Sequence, residues 1–324
     1  VSSEEKGEGG PLRLQARRFV KFAVSGVLVF WLLRTIGLNP LHAQLSRISL
    51  TSVAVSLAVF ALSNLLGALQ WHWLMRAKRI HISYHQTLAF YHVGLFFNNF
   101  LIGNVGGDAV RVLDIRRLAG KNSPALSTVF FDRFAGFFAM ASLAFLAAML
   151  MAQKLVRASA VYTILIVFPV WILALLFLFN ERIALKFAWI FKLLLPQSLH
   201  ARARSFYNSL HGFRHQKKLL LRILLLSFAV QLLRILTHYW AARALGVRIS
   251  FFYFLLFIPI VALVASLPIS LGGLGVREQS AVTLFSQIGL ASAQVVAFEF
   301  LAYLVAIAAS LPGGIIFALR HDKQ

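Results

Sequence analysis

The sequence predicts an all-α polytopic membrane protein, with about six full transmembrane helices and two re-entrant half-helical segments. Hydrophobic residues make up 60% of the 324-residue chain and the mean hydropathy is +0.79, far above the composition of a soluble domain. Several apolar runs exceed the roughly 18 residues needed to cross a hydrocarbon core of about 30 Å. The 32 Lys+Arg, against 10 Asp+Glu, gather in short segments between those runs, where the positive-inside rule and anionic lipid place them. Basic residues confined to such loops do not point to nucleic acid. The short alternating strands of a β-barrel are absent. With no cysteine in the chain, disulfides, iron–sulfur clusters and a thiol nucleophile are excluded.

The elements follow in order. Residues 1–18 form a polar N-terminal segment. Its bases precede Phe19–Ile36, a run too long for a signal-peptide core and without an obvious cleavage site, so it reads as a retained span. Full spans follow at Leu50–Leu74, Leu126–Met151, Ala160–Phe179, Leu219–Ala242 and Ala293–Leu319. Tyr84–Leu101 and Phe251–Leu267 differ, because each runs into a Gly-rich polar segment. Loop charge decides whether they cross. Arg13, Arg17 and Arg18 put the N-terminus in the cytoplasm, and Arg76, Lys78 and Arg79 return there after the second span. If Tyr84–Leu101 crossed, then Arg111, Arg116, Arg117 and Lys121, and the basic loop 180–218, would lie outside. If it turns back, both clusters are inside and the lighter Arg243 and Arg248 are outside. The reading is one integral-membrane domain over 19–319. It holds a first re-entrant motif at 84–118, the loop 180–218 and a second re-entrant motif at 251–290, and the tail 320–324 is cytoplasmic.

The two irregular segments resemble each other. Val105-Gly106-Gly107-Asp108-Ala109-Val110-Arg111 and Leu271-Gly272-Gly273-Leu274-Gly275-Val276-Arg277 share the pattern apolar-Gly-Gly-x-small-Val-Arg. Three full spans between them place the motifs on opposite sides, so the repeats are expected to be inverted, an architecture recurrent in secondary transporters. Irregular backbone at membrane depth is tolerated where protein buries it or water reaches it. Ordinary loops or Gly-mediated helix packing would explain the glycines, but not the adjoining Asp108, Arg111, Arg277 and Glu278.

"NNFLIGNVGGDAVR", "STVFFDRFAG" and "SLPISLGGLGVRE" together resemble the signatures of the flippase-like transmembrane domain. That domain forms the membrane half of bacterial lysylphosphatidylglycerol synthases and occurs in stand-alone relatives. The resemblance covers roughly residues 15–320, with a departure at Ile102–Asn104, where members often carry Pro-Gly-Gly. It implies a lipid translocase of the bacterial inner membrane that moves a phospholipid or other amphipathic lipid between leaflets. Membrane lipids are then the partners, with a separate lipid-modifying enzyme as a further one. In the synthases aminoacyl transfer belongs to a separate soluble domain, and no segment here is long enough to hold one.

The head group is then expected at Asn99, Gly106, Gly107, Asp108, Arg111, Asp132 and Arg133 in the first half. In the second half it is expected at Ser270, Gly272, Gly273, Arg277 and Glu278. Arg111 and Arg277 offer planar forks that suit phosphate, and Gly preceding a helix leaves free N–H groups. Asp108 and Glu278 orient the arginines or meet a cationic head group. A purely structural Asp108–Arg111 pair at i,i+3 remains open. Asp132 and Arg133 point about 100° apart and so take different partners, one of them expected in the first motif. Glu299, alone in the last span, is a candidate coupling carboxylate, with Arg234 or His238 as partner.

His81, His85 and His92 share a helix face but have no acidic or Cys ligand nearby, so no metal is expected. "GGLGVRE" lacks the Lys-Ser/Thr ending of a P-loop, and no cofactor is expected. Trp31, Trp71 and Trp73 are expected as interface anchors. Two other readings stay open. One is an integral-membrane enzyme or enzyme subunit using Asp108 and Asp132 as acid and base on a lipid-linked substrate. The other is a membrane partner of a lipid-modifying transferase.

Overall fold

The computed structural model describes residues 48–100, 105–119, 122–151, 169, 172, 204, 205, 207–266 and 275–320. Two expected spans, Phe19–Ile36 and most of Ala160–Phe179, lie outside the described residues, as do the glycines Gly272 and Gly273 and residues 180–203 of the loop 180–218. The described residues form helices α1 (Leu50–Ala77), α2 (Tyr84–Phe100), α3 (Val105–Ala119), α4 (Asn122–Met151), α5 (Lys217–Ala244), α6 (Phe251–Ala265), α7 (Val276–Phe285) and α8 (Ser292–Leu319). The fold is an all-α polytopic membrane protein, and α1, α4, α5 and α8 are long and apolar enough to cross a bilayer.

The crossing helices are built inside out relative to a soluble bundle. Along α1 the buried residues include Ser56, Ser63, Asn64, Gly67 and Gln70, while Leu57, Leu62 and Leu65 are exposed. In α5 Ser227, Gln231 and Thr237 are buried and Leu221 and Leu225 exposed. Lipid tails take the leucines, so small and polar side chains make the helix–helix contacts. Ser49 starts α1 by accepting the backbone N–H of Ser52. Ser83 and Gln86 exchange side-chain and backbone hydrogen bonds of 3.2 Å at the start of α2, a capping box.

α1 and α5 pack antiparallel along their length. The Ser49 N–H donates to the Ala244 carbonyl, the Ser56 hydroxyl to the Thr237 carbonyl, and the Ser227 hydroxyl to Gln70 Oε1. Leu50 and Lys217 lie 167 positions apart, as do Tyr84 and Phe251. Each half is therefore a long helix, a helical hairpin and a second long helix, and the antiparallel α1/α5 pair makes the two halves inverted. The packing repeats with them, since α8 lies on α2 as α4 lies on α6.

Each hairpin folds back along itself. At about 1.5 Å per residue, α2 and α3 are about 26 and 22 Å long and α6 and α7 about 22 and 15 Å, all short of the core thickness. A Cβ on Gly107 would overlap the Gly94 carbonyl, and one on Gly94 would meet Arg111, so α3 runs back along α2. Asn98 Oδ1 accepts the Gly107 N–H at 2.9 Å and ties off the first turn of α3. In the second hairpin Phe285 of α7 packs on Phe254 and Phe257 of α6, with ring centroids 5.3 and 5.1 Å away. Gly275 takes φ +80° at the start of α7, a conformation that favours glycine.

One face collects the basic ends of α1, α3, α5 and α8. Lys78 donates to the Ser209 carbonyl and lies over the Phe213 ring. Arg320 donates to both carboxylate oxygens of Asp114 at 2.7 Å. Arg243 and Arg248 lie toward the opposite end. Asn98→Ala would leave the buried Gly107 N–H without its acceptor and is expected to cost about 1–3 kcal/mol. A lowered unfolding midpoint in detergent is the readout.

Candidate functional site

The crossing of α1, α2, α4 and α5 forms a polar cleft into which Arg111 reaches from α3. Gln70, Tyr91, Asn98, Arg111, Asp132 and Arg234 are among its lining residues. Arg111 is only 3% exposed and Asp132 8%. Arg111 Nη2 donates to Asp132 Oδ2 at 2.8 Å, and Gln70 Nε2 donates to Asp132 Oδ1 at 2.9 Å. The Arg111 guanidinium lies 4.0 Å from the Trp71 ring centroid and 4.8 Å from that of Tyr91. Stacking, an ion pair and the close Gly94 backbone fix this side chain on three sides.

Asp108 and Arg133 close the cleft's rim. Arg133 Nε and Nη2 donate to Asp108 Oδ2 and Oδ1 at 2.6 and 3.1 Å, and Arg111 Nη1 lies 3.4 Å from Asp108 Oδ1. Asp132 and Arg133 thus take different partners, both in the first motif. Arg234 reaches in from α5, and its Nη2 donates to the Tyr91 hydroxyl at 3.2 Å. Its Nε is buried with no hydrogen-bond acceptor, and no carboxylate pairs with it among the described residues. Among the described residues, three guanidiniums and two carboxylates give the cleft one positive charge in excess.

The second half builds a related cluster near the opposite face. Glu299 lies 167 positions after Asp132, and His238 lies 167 after Trp71. Glu299 is fully buried, and its Oε1 lies 2.9 Å from His238 Nδ1. Arg277 Nε is 3.8 Å from Glu299 Oε2, Arg277 Nη2 donates to Glu278 Oε1 at 3.1 Å, and the guanidinium lies over the Tyr303 ring. Glu278 Oε2 also accepts the Gly275 N–H at 2.6 Å.

Several expected residues sit elsewhere. Asn99 donates to Ser310 of α8 at 2.8 Å, and its carbonyl accepts the Tyr303 hydroxyl, while its neighbour Asn98 lines the cleft. Glu299 pairs with His238 and not with Arg234. Trp71 is no interface anchor: it is fully buried beneath Arg111, and its Nε1 donates to Thr128. Ser270, Gly272 and Gly273 lie outside the described residues. Arg234 and Gln70 escaped the sequence reading as cleft residues. The 167-residue offset between Gly67 and Arg234, both of which line the cleft, was the available signal.

A UPF0104 membrane protein of Pyrococcus horikoshii is 24% identical to this chain, over 95% of the chain and 98% of that protein. The model of the lysylphosphatidylglycerol synthase TM region matches residues 18–314. Matched over nearly its whole length, this multi-pass chain belongs to the lysylphosphatidylglycerol synthase TM region family.

Proposed function

We propose that the protein is a lipid carrier of the flippase type, which moves an amphipathic lipid with an anionic head group between leaflets while the tails stay in the bilayer. Arg234 carries this reading. It is a guanidinium within a crossing helix, it faces a cleft, and it has no carboxylate partner among the described residues. An ionisable residue placed so is costly unless something supplies the missing charge. A phosphate head group would do so, with the Tyr91 hydroxyl and Arg133 beside it. We place the basic face in the cytoplasm by the positive-inside rule.

The inverted repeat supports a carrier, because exchanging the conformations of the two halves would open the cleft to the other face. The enzymatic alternative is less favoured. Asp132 accepts from Arg111 and Gln70, and Asp108 accepts from Arg133 and Arg111, so every oxygen already meets a protein donor and the arginines favour both carboxylates staying ionised.

The test uses a short-chain anionic phospholipid and its zwitterionic counterpart as probes in detergent. Arg234→Gln is expected to weaken binding of the anionic probe about 10-fold or more, the loss of a charged hydrogen bond, and to weaken the zwitterionic probe, whose phosphate is balanced by its own ammonium, by less. Equal binding of the anionic probe by both proteins would overturn the reading.

A further inference from the structure

The two halves differ where the repeat would make them alike. Asp132 is held by Arg111 and by Gln70, with Trp71 stacked on the arginine; neither Gln nor Trp exchanges a proton near neutral pH. Its equivalent Glu299 is held by His238, the side chain type that changes charge in that range. Arg277 stands with two carboxylates, Glu278 and Glu299, so this cluster carries excess negative charge when His238 is neutral, the reverse of the cleft. Glu299 Oε2 is buried with no hydrogen-bond donor, and Arg277 Nε beside it has no acceptor.

We propose that Glu299 and His238 form a proton-binding site that controls the second hairpin. The proton bonds to Glu299 Oε1, the oxygen that faces His238 Nδ1, and cancels the carboxylate's charge. Arg277 then keeps Glu278 and the Tyr303 ring but loses its charge pairing with Glu299, and the hold of α8 on α7 is weakened. His238, whose side chain is 20% exposed where Glu299 is 0%, is the path by which the proton arrives and leaves. The other groups around Glu299 are few. Tyr303 lies on α8 itself, and Arg234, one turn before His238 on α5, donates to Tyr91. α1 has no ionisable residue from Leu50 to Trp71, α6 has only Tyr253, and α2 presents the Asn99 carbonyl to Tyr303. The proton site rests on the carrier reading for its purpose, as the source of a coupling ion, but its response to pH can be read without transport.

Since the chain has no cysteine, spin labels at Thr51→Cys on α1 and Gln279→Cys on α7 report the hairpin's position in the full-length protein. The label-to-label distance is expected to shift between about pH 5 and about pH 8. Glu299→Gln, which keeps the shape and removes the charge, is expected to hold the low-pH distance at both. A distance independent of pH in the otherwise wild-type protein, or a shift retained in Glu299→Gln, would overturn the proposal. A pH-dependent distance in a protein that moves no lipid would refute the carrier reading and leave the proton site standing.

Discussion

Asp132→Ala is expected to destabilise the protein by on the order of 3–5 kcal/mol, the usual consequence of removing one partner of a buried ion pair. Of its two carboxylates Arg111 would keep only Asp108, 3.4 Å away, and Gln70 Nε2 would lose its acceptor. The cost lies in the stranded guanidinium more than in the lost attraction. The double variant Asp132→Ala/Arg111→Leu, which removes both charges, is therefore expected to be more stable than the single one. Denaturant or thermal unfolding in detergent measures both. A single variant as stable as the wild type would contradict the burial of this pair.

Gly107→Ala is expected to cost about 1–3 kcal/mol by overpacking and to weaken the first hairpin. The added methyl would meet the Gly94 carbonyl, a backbone atom that no rotamer change can move. Separation of α2 and α3 would also pull the Gly107 N–H from Asn98 and withdraw Arg111 from Asp132. Gly212→Ala is the matched control, since the nearest atom to its Cβ is the flexible end of Lys78 at 3.4 Å. Unfolding midpoints of the two variants should separate clearly. Equal midpoints would show that the close approach of Gly94 and Gly107 does not hold the hairpin shut.

Much of this architecture was legible because membrane insertion writes it into composition. Apolar runs gave the four crossing helices found among the described residues, and the shared Gly-Gly-x-small-Val-Arg pattern pointed to the inverted repeat. The pairing of Asp132 or Arg133 with the first motif followed from their placement inside a span. What escaped were contacts set by helix phase and by distance along the chain. Asn98 and Asn99 are neighbours in sequence, yet they face different helices. Trp71 sits near the end of an apolar run, as an anchor would, and only the tertiary position of Arg111 shows why it is buried. Asp114 and Arg320 meet across 206 positions, with no local pattern to link them. The equivalence of Asp132 and Glu299 was present in the offset but hidden, because the matches around it, Val129 with Val296, Phe131 with Phe298 and Ala135 with Ala302, are common apolar residues in any membrane span.

The carrier reading is tested most directly by leaflet exchange in liposomes. With purified protein reconstituted, a fluorescent anionic phospholipid is expected to reach the opposite leaflet faster than in protein-free vesicles, and Arg234→Gln is expected to remove most of that acceleration. If the wild-type protein accelerates exchange of no lipid, whether anionic, zwitterionic or cationic, the cleft is not a lipid pathway and the central claim fails.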